Sequence, residues 1–171
     1  MKFTSDEIVK APLADVFRAC TAFETFTRLA RNRDISVERT DDLAAPGPGM
    51  SWTIGFRLRG RRRTADVRMR RFDAPSGFVA HSRSGGLDAV ITLKLSETDP
   101  NTTRMVTKFN VQAKSVSGKI VMQSLRLVRG RVKRRIARRA AAFARRIEVD
   151  WRRQVRRGTG YETPSRYTSK T

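Results

Sequence analysis

Between residues 118 and 157 the apolar side chains return every three or four positions: Val121, Leu125, Val128, Val132, Ile136, Ala140, Phe143, Ile147 and Trp151. That spacing places them on one face of an α-helix and predicts a single long helix there. Ser117 is its expected N-cap, because a serine hydroxyl accepts from an otherwise orphaned N–H. Gly130 is its expected weak point, since glycine inside a helix costs about 1 kcal/mol relative to alanine and favours a bend. Most of the remaining positions are arginine. From Arg126 to Arg157 there are 14 basic residues against Glu148 and Asp150.

Upstream the period falls to two. Phe3, Ser5, Glu7 and Val9 share one face of a strand over residues 2–10. Pro12 suits a helix start, since the first N–H groups of a helix have no internal partner. Leu13, Val16, Phe17 and Cys20 follow at helical spacing. Thr21-Ala22-Phe23-Glu24 has the capping-box pattern and predicts a second short helix carrying Phe23, Phe26, Leu29 and Ala30. Residues 35–39 alternate as a strand. Trp52, Ile54, Phe56 and Leu58 line one face of the next, and Gly60 with the three following arginines reads as a turn. Residues 64–72 return with Val67 and Met69 on one face. Residues 78–83 and 88–96 form a hairpin about Gly85-Gly86, with Ile91, Leu93 and Leu95 on one side. After the Asp99-Pro100-Asn101 turn, residues 103–113 make the last strand, with Met105, Phe109 and Val111 on one side.

The order is one strand, two short helices, six strands and one long helix. Strands joined by short turns pair antiparallel, and a sheet with one apolar face needs a cover. The expected fold class is therefore α+β: a curved antiparallel seven-stranded sheet wrapped around a long C-terminal helix. Residues 1–157 read as a single domain. Residues 158–171 are polar and aperiodic and read as a mobile tail.

Charge adds a second theme. The net formal charge is +21, with arginine outnumbering lysine 29 to 8. It is unevenly distributed, from −1 over residues 1–50 to +9 over 51–125 and +13 over 126–171. Such a field attracts phosphate backbones and acidic lipid head groups. A compositional bias toward arginine would produce the same count without any partner. A lone cysteine, Cys20, excludes an intrachain disulfide and fits a reducing, cytoplasmic setting. The N-terminal residues lack the apolar core of a signal peptide, and no apolar run approaches the roughly 18 residues of a membrane span.

Several segments in this order resemble the helix-grip superfamily of START and birch-pollen-allergen-like proteins, often called SRPBCC. Val9-Lys10-Ala11-Pro12-Leu13-Ala14-Asp15-Val16-Phe17 is similar to the family's strand-to-helix opening. The glycine-containing loop before Trp52, the turn Phe72-Asp73-Ala74-Pro75-Ser76-Gly77-Phe78, Thr102-Thr103 after Asp99-Pro100-Asn101, and the closing stretch Ala144 to Trp151 follow in matching order. A tryptophan often found after the second short helix is absent, and the closing helix is richer in arginine. The resemblance implies a cavity between sheet and helix that holds an apolar or amphipathic molecule such as a lipid, polyketide or quinone. In members described as polyketide cyclases or dehydratases that cavity is catalytic.

The residues placed to line such a cavity are Trp52, Ile54, Phe56, Met69, Ile91, Met105, Phe109, Met122 and Leu125, a set rich in adaptable methionine and aromatic side chains. Any one of them could simply fill the core, but as a set they point to a cavity, because a curved sheet around one helix is hard to fill with side chains alone. His81, the sole histidine, is a candidate general base if its ring faces inward. Its strand leaves the parity open, with Phe78 and Ala80 competing against Val79 and His81. One histidine and one cysteine cannot build an ordinary zinc or redox-metal site, and no cofactor motif appears. Arg57, Arg59, Arg68 and Arg70 alternate away from the apolar side and form a candidate anion-binding surface, for RNA or acidic membrane, or else a solvated sheet face. Base-stacking aromatics are missing from these stretches, which counts against a sequence-reading single-strand binder. Oligomeric state is not encoded in any of these patterns.

Overall fold

The structure is a computed structural model and describes residues 1–25, 35–58 and 60–158. Seven strands form one antiparallel sheet: β1 (Lys2–Val9), β2 (Ser36–Arg39), β3 (Ser51–Leu58), β4 (Arg61–Asp73), β5 (Gly77–Ser84), β6 (Leu87–Asp99) and β7 (Thr102–Ala113). Their spatial order is β1-β7-β6-β5-β4-β3-β2, so β2 through β7 form a meander and β1 closes the far edge on β7. Bulges at Arg70 in β4 and near Asp99 in β6 interrupt the ladders. An extra residue on one strand increases local twist and bend, which suits a sheet curved about a helix.

Helix α1 (Leu13–Cys20) follows β1 with Pro12 as its N-cap residue and buries Val16 and Cys20. The Thr21 capping box does not form as expected. The Thr21 hydroxyl instead donates to the Phe17 carbonyl at 2.8 Å, closing the end of α1. Phe26, Leu29 and Ala30 of the expected second helix lie outside the described residues, as does the expected tail beyond Gly158.

The long rod is two helices, α2 (Val116–Leu127) and α3 (Arg129–Arg156). The break falls at Val128, two residues ahead of Gly130. A β-branched residue followed so closely by glycine makes this the weakest part of the helical ladder. The cap of α2 is Ser115, not Ser117: Ser115 Oγ accepts from the Gly118 N–H at 3.0 Å. The three arginines after Gly60 are not a turn. They begin β4, with Arg61, Arg62 and Arg63 opposite Leu58, Arg57 and Phe56.

Alternation works as expected elsewhere. Phe3, Ser5 and Val9 are buried along β1 while their neighbours face out. One core cluster joins Val9, Ala11, Val16, Cys20, Leu93, Leu95 and Met105 to Ala144 and Ile147 of α3. A second gathers Met50, Trp52, Met69 and Ala80 toward the β2 side, with Phe78 packed against both. Thr103 is fully buried, and its hydroxyl donates to the Ala11 carbonyl at 2.9 Å, tying β7 to the turn before α1.

The Gly85-Gly86 turn has positive φ at both residues, 51° and 78°, as a two-residue hairpin turn requires. It also touches the start of α2. The Lys114 N–H donates to the Gly86 carbonyl at 2.8 Å, and a Cβ placed on Gly118 would collide with that same carbonyl. Gly118→Ala should therefore cost about 1–3 kcal/mol, the range for forced overpacking, as measured by chemical denaturation. Gly130→Ala, with only the flexible Arg134 side chain near its Cβ, should stabilise instead.

Asp41 anchors the loop before β3. It accepts from Arg39 Nη2 at 2.8 Å, the Ser51 N–H at 2.7 Å and the Leu43 N–H at 3.0 Å. The Arg39 guanidinium first, then the Ser51 N–H, hold its carboxyl well below the usual carboxylate range. A depressed folded value means that the stability from this group is intact above about pH 4. It is lost as pH falls through the folded value. Acid titrations of the wild type and Asp41→Asn should therefore converge at low pH and diverge above about pH 4.

Candidate ligand cavity

Helix α3 approaches β1 and α1 most closely. Between it and β5 to β7 lies a cavity of about 370 Å³. The strand pleat supplies one wall, since alternate residues point to one face. These are Ser5 of β1, Phe78 of β5, Ile91 and Leu93 of β6, and Met105, Thr107 and Phe109 of β7. The opposite wall is Ile136, Arg139, Ala140 and Phe143, which share one helical face at i, i+3, i+4 and i+7. Cys20 closes it from the end of α1.

Polar groups are few. Ser5 Oγ donates to Glu7 Oε1 at 2.8 Å and keeps acceptor capacity. Thr107 adds a second hydroxyl. The Cys20 thiol lies 3.8 Å from Met105 Sδ, and burial pushes it up to about 12, so at neutral pH it is an uncharged, weakly polar wall. Arg139, exposed at the edge, carries the charge of the described lining. The arrangement can hold a mostly apolar molecule with one polar or anionic end directed at Arg139.

Of the expected lining residues, Ile91, Met105 and Phe109 meet here. Trp52 and Met69 belong to the second core cluster, where Ile54 packs against them. Met122 is buried under α2 and borders a separate surface recess with Val111 and Arg126. Leu125 of α2 and Phe56 of β3 are half-buried away from this cavity. The other nine lining residues, Ser5, Cys20, Phe78, Leu93, Thr107, Ile136, Arg139, Ala140 and Phe143, are not in the expected set. The signal was present in the alternation of β1 and β7 and in the C-terminal half of the helical stripe. A larger opening of about 840 Å³ lies beside Thr21–Thr25, β2 and Trp52.

His81 is exposed, paired with Arg68 and Val90, while Ala80 beside it is buried. The Phe78/Ala80 parity faces inward, so the imidazole is on the outer face and cannot reach the cavity. Arg57, Arg68 and Arg70 are exposed on β3 and β4, and Arg59 lies outside the described residues. Asp66 sits on the same face of β4 as Arg68 and accepts from Thr53 at 3.0 Å, so this surface carries an acid among its bases.

No family model and no curated protein matches the sequence. Solved structures do. The Zhui aromatase/cyclase from a Streptomyces species superposes with a TM-score of 0.65 at 12% identity, covering 94% of this chain and 99% of that one. The chain has the helix-grip fold. Ara h 8.0201 matches with a TM-score of 0.56 at 15% identity, over 86% of this chain and 95% of its own. A START superfamily protein from Mycobacterium smegmatis matches at 0.53 and 10% identity, over 80% and 97%. All three share the helix-grip architecture, the fold that the order of elements and motifs implied. A helix-grip scaffold hosts many functions, so the site must carry the rest of the argument.

Proposed function

We propose that this helix-grip protein binds a hydrophobic or amphipathic small molecule, of lipid, polyketide or quinone type, between its sheet and α3. The observation that carries this reading is the cavity of about 370 Å³ with its predominantly apolar walls. Its size falls within the roughly 300–1,000 Å³ usual for small-molecule sites. Arg139 at the edge favours a ligand with an acidic or strongly polar end.

A cyclase, the activity named for the Streptomyces protein, or a dehydratase would need a proton acceptor at this site. The ionisable groups of the described lining are Cys20 and Arg139, and the Glu7 carboxylate stands behind the lining, joined to it through the Ser5 hydroxyl at 2.8 Å. A thiol pushed up to about 12 and a guanidinium are both protonated at neutral pH, and neither serves as a base. With His81 facing out, binding is the better supported reading.

Thermal unfolding in the presence of fatty acids, quinones and aromatic polyketides tests it. A ligand at about 100 times its Kd adds about 2.7 kcal/mol. That corresponds to a rise in Tm of roughly 5–10 °C for a chain of this size. No shift with any of the three classes would sink the reading.

A further inference from the structure

We infer that the outward face of α2 is a docking surface for an anionic phospholipid membrane. On this helix Gly118 and Met122 are buried and Leu125 is half-buried, so one side is spent on the sheet. The opposite side presents Val116, Ile120 and Leu127, which are 76%, 62% and 89% exposed. At i, i+4 and i+11 they fall within about 40° of one another on the helical wheel. Isolated exposed apolar residues are ordinary, but three aligned on the free face of one helix form a stripe.

The charge around the stripe selects its partner. Lys119 and Arg126 are exposed on one shoulder of α2, and Arg129, Arg131, Lys133 and Arg134 are exposed in the first turns of α3. No acidic residue occurs between Asp99 and Glu148. None of the ion pairs among the described residues involves these six bases. An apolar stripe fringed by unneutralised bases fits the boundary between acidic head groups and acyl chains, where each side has its own partner. A second copy of the chain would set bases against bases. An RNA would engage the bases but leave the stripe in water, and residues 116–135 hold no aromatic side chain on which a base could stack.

The elbow also lies close to the cavity. Ile136, the first α3 residue of the cavity wall, is seven residues beyond Arg129, or about 10 Å along the helix. Docking through α2 would bring that end of the cavity toward the bilayer. The docking surface itself does not depend on what the cavity holds.

Vesicle flotation with the full chain tests the proposal. Vesicles of phosphatidylcholine mixed with phosphatidylglycerol should bind at least about tenfold more tightly than phosphatidylcholine alone, and added salt should weaken the binding. The double variant Ile120→Glu with Leu127→Glu should keep the wild-type Tm, since both side chains are exposed, and lose about tenfold or more in affinity for the mixed vesicles. Ile120→Leu with Leu127→Phe should retain binding. Undiminished binding by the glutamate variant would reduce the contact to general charge attraction and overturn the proposal. So would a dimer in sedimentation that the glutamate substitutions abolish, which would assign the stripe to a second copy. A homopolymeric RNA that binds wild type and glutamate variant equally and displaces both from vesicles would assign the surface to nucleic acid.

Discussion

Ile147→Ala is expected to destabilise the protein by about 2–5 kcal/mol, the range for removing most of a large buried aliphatic side chain. The measurement is the urea midpoint at unchanged m-value. Ile147 is buried in the cluster that joins Val9, Ala11, Val16, Leu93, Leu95 and Met105. The effect should be large because the seating of α3 on the sheet depends on few buried side chains. Arg131 and Arg135, Arg134 and Arg138, and Arg135 and Arg139 are like-charged i,i+4 pairs, each unfavourable to the helix by a few tenths of a kcal/mol. The helix is held by a narrow stripe of packed side chains and by polar ties such as the Lys10 N–H bond to Glu148 Oε1 at 2.9 Å. Val149, on the exposed side two residues away, supplies the control. Val149→Ala should change stability by no more than about 0.5 kcal/mol. Equal effects at the two positions would mean that α3 is not seated on the sheet as described.

The contrast between these two residues shows what local pattern can convey. Period two in β1, β6 and β7 and period 3.6 in the final rod mark which side chains turn inward, because side-chain direction follows backbone geometry alone. Position along an element is another matter. Leu125 belongs to the same sequence stripe as Ala140 and Phe143, yet α2 sits beside β7 and only α3 spans the cavity. That division depends on the break at Val128 and on where β1 meets α3, contacts more than a hundred residues apart in sequence. Trp52 and Met69 point inward as their alternation requires, but they pack into the part of the core nearer β2. Ser115 and Ser117 are both competent caps, and tertiary context chooses between them. The neighbouring Gly86 carbonyl fixes the Lys114 backbone, and Ser115 is then the residue in position to accept from Gly118. His81 carried two parities in one short strand. The pairing of Ala80 with Met69 and Ile91, both facing the interior, decides against the imidazole.

Ala140→Phe is expected to abolish ligand-induced stabilisation while leaving the unliganded protein as stable as before, or slightly more so. Ala140 is a small residue on the α3 wall of the cavity, opposite Met105, Thr107 and Phe109. A phenyl ring there would extend into the space a guest would fill. Any compound that raises the wild-type Tm should lose that effect, a change of up to about 2.7 kcal/mol at saturating ligand. The unliganded comparison carries as much weight. In a solid core, so large an insertion forces rotamer and backbone shifts costing about 1–3 kcal/mol. In a void it gains dispersion contacts instead. Arg139→Gln, one residue away at the edge, separates the ligand classes. It should weaken an acidic ligand markedly and a neutral quinone little, because a charge-assisted bond is roughly twice as strong as a neutral one. If Ala140→Phe lowered the unliganded Tm and left the ligand response intact, the space between sheet and α3 would not be the binding site. The guest would then have to lie elsewhere in the fold.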